Sequence, residues 1–220
     1  VNGNQIVMIF LYYLMARRKE LGLIKGDEYI VKTIVTTETI KSIAEKQNIK
    51  MYDVFTGFKW IAKVMLENEG KAQYLGGGEE SYGFLAEDFV RDKDSVSAIS
   101  LMAEIAAWAK DKGLDMNAML IDIYMTYGYS KEKGISLVRK GKSGAEEIAA
   151  IMKKFRENPP KSIYGSPVVT IKDFDSLVEK NVATGVTKKL DMPTTSNVLQ
   201  YFTEDNTKVS IRPSGTEPKI

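Results

Sequence analysis

The sequence predicts an α/β fold, in which a mainly parallel βαβα sheet domain precedes a smaller α+β domain with an antiparallel sheet. Strand-like and helix-like segments alternate over residues 29–75, whereas short strands and turns alternate from Pro159 onward. The glycine-studded stretch Gly128–Gly144 separates the two patterns. We therefore expect two domains, at residues 1–130 and 131–220.

In the first domain, strands alternate with amphipathic helices, as the helical spacing of Phe58, Ile61 and Met65 illustrates. The predicted helices are 6–16, 38–47, 58–67, 94–110 and 115–127, and the predicted strands are 29–35, 50–55 and 71–75. In the second domain, we expect a helix at 144–158 and strands at 135–139, 168–171, 198–202 and 208–211. This order places ligand-binding loops at the carboxyl ends of the parallel strands.

Composition excludes several classes of function. The 31 Lys and Arg residues against 29 Asp and Glu give a net charge of +2, which by itself indicates no nucleic-acid partner. Without Cys or His, the chain cannot form disulfides, zinc–thiolate sites or a Ser-His-Asp triad, and proton transfer would fall to Lys, Asp, Glu or Tyr. The apolar run 6–16 is about half of a membrane-spanning helix, so we expect no membrane partner.

Residues Arg212–Lys219 combine a guanidinium group, two hydroxyls, a glycine and several backbone amides directly after a predicted strand. Arg212 can offer a planar fork to two phosphate oxygens, while other oxygens can bind Ser214, Thr216 and the amides around Gly215. The alternative is an ordinary strand-to-turn connection marked by Pro and Gly. Spacing alone leaves both interpretations open.

Residues Gly76–Gly83 follow another predicted strand and place two carboxylates and a hydroxyl in a glycine-framed loop. Carboxylates accept hydrogen bonds from vicinal hydroxyls and Ser can donate or accept them, so such a loop can read sugar stereochemistry. A solvated turn fits the spacing equally well. A loop for nucleotide phosphates fits less well, because the two acidic residues repel phosphate.

Two further segments carry charge at helix starts. Thr56–Trp60 lies at a strand-to-helix junction, where amides and the helix dipole favour negative charge, although the position of Lys59 is more typical of a plain surface lysine. Asp88–Asp94 mixes charges of both signs before the next helix. Such clusters usually form solvated salt bridges, but a lysine placed there can have its pKa tuned for acid–base work.

Taken together and in this order, these loops resemble the third and fourth domains of the α-D-phosphohexomutase superfamily. Gly77–Gly83 is similar to its sugar-recognition loop, and Arg212–Lys219 is similar to its fourth-domain phosphate loop. Thr56–Lys59 and Arg91–Asp94 fall where the family places substrate-facing segments. The similarity covers essentially the whole chain and is closest to the bacterial phosphoglucomutase/phosphomannomutase branch, with a phosphopentomutase-like branch close behind.

The resemblance implies a cytoplasmic four-domain enzyme that interconverts hexose 1-phosphate and hexose 6-phosphate through a phosphoserine, a Mg²⁺ held by aspartates and a glucose 1,6-bisphosphate intermediate. It implies sugar phosphates as partners, sugar-hydroxyl binding by Glu79 and Ser81, and Lys93 as the candidate proton shuttle. The other implied roles are phosphate binding by Arg212, Ser214, Gly215 and Thr216, and substrate contacts by Lys32, Thr56, Gly57, Lys59 and Arg91.

The family's Ser-His-Asn segment and its Asp-x-Asp-x-Asp-Arg metal loop are absent from this sequence. We therefore expect no metal site in the chain, and a C-terminal fragment, truncated at both ends, that is inactive alone. Two alternatives stay open: a phosphopentomutase, since the loop reads hydroxyls rather than ring size, and a non-catalytic sugar-phosphate binding protein. The oligomeric state also stays open.

Overall fold

The computed structural model describes residues 1–139, 141–214 and 219–220, except for the side chain of Lys142. These residues cluster into two compact units, Val1–Glu132 and Lys133–Ile220. The first is an α/β unit with a mixed sheet, and the second packs a helix on an antiparallel sheet. The predicted fold class is thereby confirmed.

The sheet of the first unit has the strand order β2-β1-β3-β4, with β1 parallel to β2 and β3 and with β4 antiparallel to β3. Its elements are α1 (Gly3–Glu20), β1 (Glu28–Thr33), α2 (Thr39–Gln47), β2 (Lys50–Val54), α3 (Phe58–Asn68), β3 (Gln73–Gly78), β4 (Phe84–Ala86), α4 (Ser95–Asp111) and α5 (Met116–Tyr127). The sequence analysis missed β4, because three residues are too few to show an alternating pattern.

The two faces of this sheet are covered by different helices, as the alternation of side chains along β1 shows. Ile30 belongs to a core cluster with α1, α2, α4 and α5. Tyr29 and Val31 point to the other face, where Ile61 and Met65 of α3 pack against them. Each face of β1 is therefore buried, which is typical of a parallel strand in an α/β unit.

Helix α1 is the central helix of the larger core. A capping box begins it, because the Asn2 side chain accepts from the Gln5 amide and the Gln5 side chain accepts from the Asn2 amide. Nearly every residue over 7–15 is buried, since the helix lies against the sheet and also contacts α2 and α4. Among the described residues, no helix combines the length and apolar character that crossing a membrane requires.

Glycines at the end of β3 let α1 approach the sheet closely. The prediction of a loop over Gly76–Gly83 was wrong for its first three residues, which are paired with β1 and β4. A methyl group on Gly76 would lie 3.0 Å from Leu14 Cδ1, and one on Gly77 would lie 2.7 Å from the Val31 carbonyl oxygen. The glycines therefore serve packing here and do not frame a flexible loop.

The second unit contains α6 (Gly141–Glu157), β5 (Ser162–Ile163), β6 (Ser166–Asp173), β7 (Val178–Asn181), β8 (Thr187–Lys189), β9 (Leu199–Thr203) and β10 (Lys208–Ile211). Its sheet has the order β10-β9-β6-β7-β8, and β5 pairs with β6. Met152 of α6 packs on Val168, Leu199 and Tyr201. The Tyr201 hydroxyl donates to the Phe155 carbonyl at 2.9 Å, which fastens the end of α6 to the sheet.

The predicted strand at 135–139 was wrong. Among the residues that the structure describes, only an isolated bridge forms there, between Val138 and Lys219, flanked by reciprocal hydrogen bonds between Leu137 and Ile220. Ile135, Leu137 and Val138 are exposed, so this segment has no buried face of the kind that normally stabilises a strand.

The carboxylate of Glu28 is buried at the start of β1. Its Oε1 accepts from the Lys25 amide at 2.6 Å, and its Oε2 accepts from the Gly26 amide at 2.9 Å. Burial alone would raise the pKa of Glu28, but these backbone hydrogen bonds outweigh it and the pKa lies below its usual value. The ionised carboxylate therefore stabilises the turn into β1.

We expect Glu28→Gln to lower the free energy of unfolding by about 1–3 kcal/mol at neutral pH, because it weakens charge-assisted hydrogen bonds in a buried site. A carboxyl group with a lowered folded pKa stabilises the fold above its unfolded pKa, about 4.3, and loses that effect as the pH falls through the folded pKa.

Urea denaturation from neutral to acidic pH should show this difference shrinking below about pH 4.5. The exposed Glu45 of α2 provides the control, and Glu45→Gln should change stability by less than about 0.5 kcal/mol. A deficit in Glu28→Gln that does not vary with pH would contradict the role of the charge.

Candidate functional site

The carboxyl ends of β1, β2 and β3 lie at one edge of the sheet, because the three strands run parallel. The segments that follow them are residues 34–38, 55–57 and 79–83. Such an edge is where open α/β sheets bind ligands. It gathers most of the residues that the sequence singled out in the first unit.

Lys32 is fully buried at the end of β1, with its ammonium group paired on two sides. Nζ lies 2.6 Å from Asp53 Oδ1 and 3.4 Å from Glu38 Oε1. Register explains the first contact, because Lys32 is the ladder partner of Asp53 in β2. The two carboxylates offset the cost of burying the cation and hold it at the strand end.

Glu79 connects two of the loops. Its side chain is only 8% exposed, and Oε1 accepts a hydrogen bond from the Gly57 amide at 2.6 Å. Gly57 begins α3 with φ at +111°, a conformation that glycine adopts without strain. The Glu79 amide donates to the Gly83 carbonyl at 2.8 Å and closes the loop, in which Ser81 is exposed. Thr56, which precedes Gly57, is partly buried.

Lys93 lies beside the same loop. A methyl group on Gly83 would lie 3.0 Å from Lys93 Cδ, 3.2 Å from Glu79 Oε2 and 3.3 Å from Phe58 Cε2, so these three side chains surround Gly83. The Lys93 ammonium lies 5.3 Å from the centre of the Phe58 ring and 3.2 Å from Asp92 Oδ1. Hydrogen bonding from Lys93 holds the pKa of the Asp92 carboxyl below its usual value.

Two predicted contact residues have partners of their own. Lys59 is exposed, and its ammonium lies 5.2 Å from the centre of the Trp60 ring. Arg91 pairs with Glu69 Oε1 at 2.8 Å, just past the end of α3, whereas Gly57 stands at its beginning. The structure thus brings Glu79 and Lys93 together and places Arg91 at the other end of that helix.

In the second unit, the predicted phosphate loop begins directly after β10. Arg212 is exposed, Ser214 is partly buried, and Gly215 and Thr216 lie outside the described residues. The Ser214 amide donates to the Lys219 carbonyl at 2.8 Å, so the two described ends of the segment lie close together. An exposed guanidinium at such a place is accessible to an anion.

Asp53 and Glu80 were missed by the sequence analysis. Asp53 is a polar residue within a strand, which alone indicates a solvent-facing position, and only the register shows it beside Lys32. Glu80 accepts hydrogen bonds through Oε2 from the hydroxyls of Thr33 and Thr36. The sequence shows Glu80 as one of two adjacent acidic residues, but its partners, Thr33 and Thr36, lie more than forty positions away.

Acidic side chains are the ligands that a Mg²⁺ ion would need in this chain, which has no His or Cys. Over residues 1–139, 141–214 and 219–220, no group of three or more His, Cys, Asp or Glu side chains is placed to hold a metal ion. The described residues therefore provide no set of side chains that fits a Mg²⁺ site.

Comparison with known proteins agrees with this picture. Residues 2–127 match the family described as phosphoglucomutase/phosphomannomutase, alpha/beta/alpha domain III. The chain is 36% identical over 219 residues to a phosphoglucomutase of Staphylococcus aureus strain bovine RF122, covering 100% of this chain and 39% of that relative. A phosphoglucomutase of Staphylococcus saprophyticus is 34% identical over 221 residues, with the same coverage.

A solved structure shares the fold. It is that of pp63/parafusin, an exocytosis-sensitive phosphoprotein and phosphoglucomutase from Paramecium, in its open form; the TM-score is 0.63 at 17% identity, over 98% of this chain and 34% of that one. The chain spans 39% of the length of the staphylococcal relatives. Because the family match covers more than half of its residues, the chain belongs to the phosphoglucomutase/phosphomannomutase family.

Proposed function

We propose that this chain supplies sugar and phosphate recognition to a phosphohexomutase, which interconverts hexose 1-phosphate and hexose 6-phosphate through a phosphoserine and a bisphosphate intermediate. The observation that supports this most is the proximity of the nearly buried Glu79 carboxylate and the Lys93 side chain, which both lie against Gly83. A carboxylate that accepts from hydroxyls, near a lysine side chain whose ammonium can exchange a proton, suits a reacting sugar alcohol.

Within the first unit, Glu79 accepts hydrogen bonds from sugar hydroxyls and Ser81, exposed on the same loop, donates or accepts others. Lys93 exchanges a proton with the hydroxyl that receives or loses the phosphoryl group. Lys32, Thr56, Gly57, Lys59 and Arg91 remain proposed substrate contacts. Lys32 acts as a buried positive charge at the strand end.

Within the second unit, Arg212 and Ser214 bind the phosphate group that is not transferred, together with Gly215 and Thr216. Phosphoryl transfer also needs a carrier and a cation, and Mg²⁺ would neutralise charge on the transferred group. We propose that the phosphoserine and the Mg²⁺ ligands lie on other parts of the polypeptide that contains this chain, in the cytoplasm. Glucose 1,6-bisphosphate serves as intermediate and activator.

The test is turnover by the complete gene product with Mg²⁺ and a trace of glucose 1,6-bisphosphate. We expect the complete product to convert glucose 1-phosphate to glucose 6-phosphate, which ³¹P NMR measures. We expect no turnover by the 220-residue chain alone, although calorimetry should show that it still binds the bisphosphate. A higher kcat/KM for ribose 1-phosphate would show a phosphopentomutase. Binding without turnover by the complete product would support a non-catalytic binding protein, and neither binding nor turnover would overturn the proposal.

For phosphate binding, we expect Arg212→Ala in the complete enzyme to raise KM about 10- to 100-fold with a smaller change in kcat, because the phosphate loses a bidentate partner. Steady-state kinetics measure the effect. Lys188→Ala, which removes an exposed cation from β8 of the same unit, is the control and should leave KM within about twofold. An unchanged KM for Arg212→Ala would place the phosphate elsewhere.

For proton transfer, we expect Lys93→Met to lower kcat by about 10²- to 10⁴-fold with little change in KM, because methionine keeps the length of the side chain but cannot exchange a proton. Lys63→Met, on the exposed surface of α3, is the matched control and should retain kcat. If only KM changes in Lys93→Met, Lys93 binds the substrate and does not shuttle the proton.

A further inference from the structure

Glu80 is the neighbour of Glu79 but contacts a different part of the sheet edge. Its Oε2 lies 3.1 Å from Thr33 Oγ1 and 3.2 Å from Thr36 Oγ1, and both threonines are fully buried. The two hydroxyl oxygens are themselves 2.8 Å apart. An ionised carboxylate only accepts, so these hydroxyls donate to it, and such charge-assisted bonds are stronger than neutral ones.

The first turn of α1 braces the same region from a second side. A methyl group on Gly3 would lie 1.9 Å from the carbonyl oxygen of Glu80, so the helix and the loop are in close backbone contact. Asn4 Oδ1 accepts a hydrogen bond from the Thr37 amide at 2.9 Å. Helix α1 therefore contacts both the loop that carries Glu80 and the turn that carries Thr36.

These contacts give two consecutive glutamates different neighbours. Glu79 reaches the loop before α3 through the Gly57 amide, and Glu80 reaches the turn after β1 through Thr33 and Thr36. A loop fixed to both adjacent loops cannot rotate about its ends. The position of the Glu79 carboxylate is then set by the sheet edge as a whole.

The turn does not need the Glu80 side chain in order to close. The Glu79 amide donates to the Gly83 carbonyl at 2.8 Å, and the Tyr82 amide donates to the Glu79 carbonyl at 3.2 Å, so backbone groups complete it. The Glu80 carboxylate instead fixes how the closed turn is oriented relative to β1.

We propose that Glu80 is a positioning residue, which anchors the loop on Thr33 and Thr36 and so holds the Glu79 carboxylate where sugar hydroxyls bind. This inference rests on the proposed function, because it assigns that carboxylate to the sugar. It does not place Glu80 in contact with the substrate.

The activity-independent test uses the Gly57 amide, whose exchange with solvent in the ¹⁵N-labelled 220-residue chain reports whether Glu79 still accepts from it. We expect Glu80→Ala to speed this exchange at least about tenfold, with exchange in the α1 core unchanged. Glu80→Gln keeps an acceptor and should stay within about threefold of wild type. Equal protection of Gly57 in Glu80→Ala and wild type would overturn the proposal.

The kinetic test uses the complete enzyme. We expect Glu80→Ala to raise KM for glucose 1-phosphate about 10- to 100-fold, because a misplaced binding group loses much of its contribution, and Glu80→Gln to restore most of it. Thr33→Val with Thr36→Val should have a similar effect, and adding Glu80→Ala to that pair should change KM by no more than about twofold.

The outcomes separate the two proposals. If the complete wild-type enzyme turns over no sugar phosphate but Gly57 loses protection in Glu80→Ala, the proposed function fails and the positioning role stands. If turnover is present and the effects of Glu80→Ala and the double threonine variant multiply, Glu80 does not act through the threonines. If the threonine pair does not fold, Thr36→Val alone serves in the same comparison.

Discussion

β1 lies between β2 and β3 and runs parallel to both, so the chain leaves all three strands at one edge of the sheet. The contacts between the segments that follow these strands depend on that arrangement. It sets Lys32 beside Asp53 and brings the loop of Glu79 against Gly57. Both faces of β1 are buried against different helices. A shift of the register by one residue would move each side chain of β1 to the opposite face of the sheet, so the register is costly to change.

The charged side chains of Lys32 and Glu79 at this edge already have partners within the protein. Lys32 is buried and paired, which makes it a fixed cation. One oxygen of Glu79 accepts from Gly57, and the other, Oε2, faces the side where Gly83 and Lys93 lie. Electrostatic groups that are held in place by the fold need little reorganisation when a ligand binds.

In the second unit, a strand of the antiparallel sheet positions Arg212. α6 packs across the antiparallel sheet, and Arg212 is exposed immediately after β10, whose strand is paired along its length with β9. The hydrogen-bonded strand β10 therefore positions the Arg212 guanidinium group at the surface. Family membership rests on residues 2–127, which lie in the first unit.

Periodicity and turn residues are local signals, so they predicted the α/β and antiparallel classes and most elements of the first unit. They also predicted Glu79 and Arg212 after strands and Lys93 before a helix. Only the tertiary structure placed Gly76–Gly78 inside β3 and left residues 135–139 without a strand. It alone also showed that Glu80 contacts threonines more than forty positions away. The physical reason is that strand register, burial and side-chain partners depend on contacts between segments that are distant in sequence. A local sequence pattern does not contain that information.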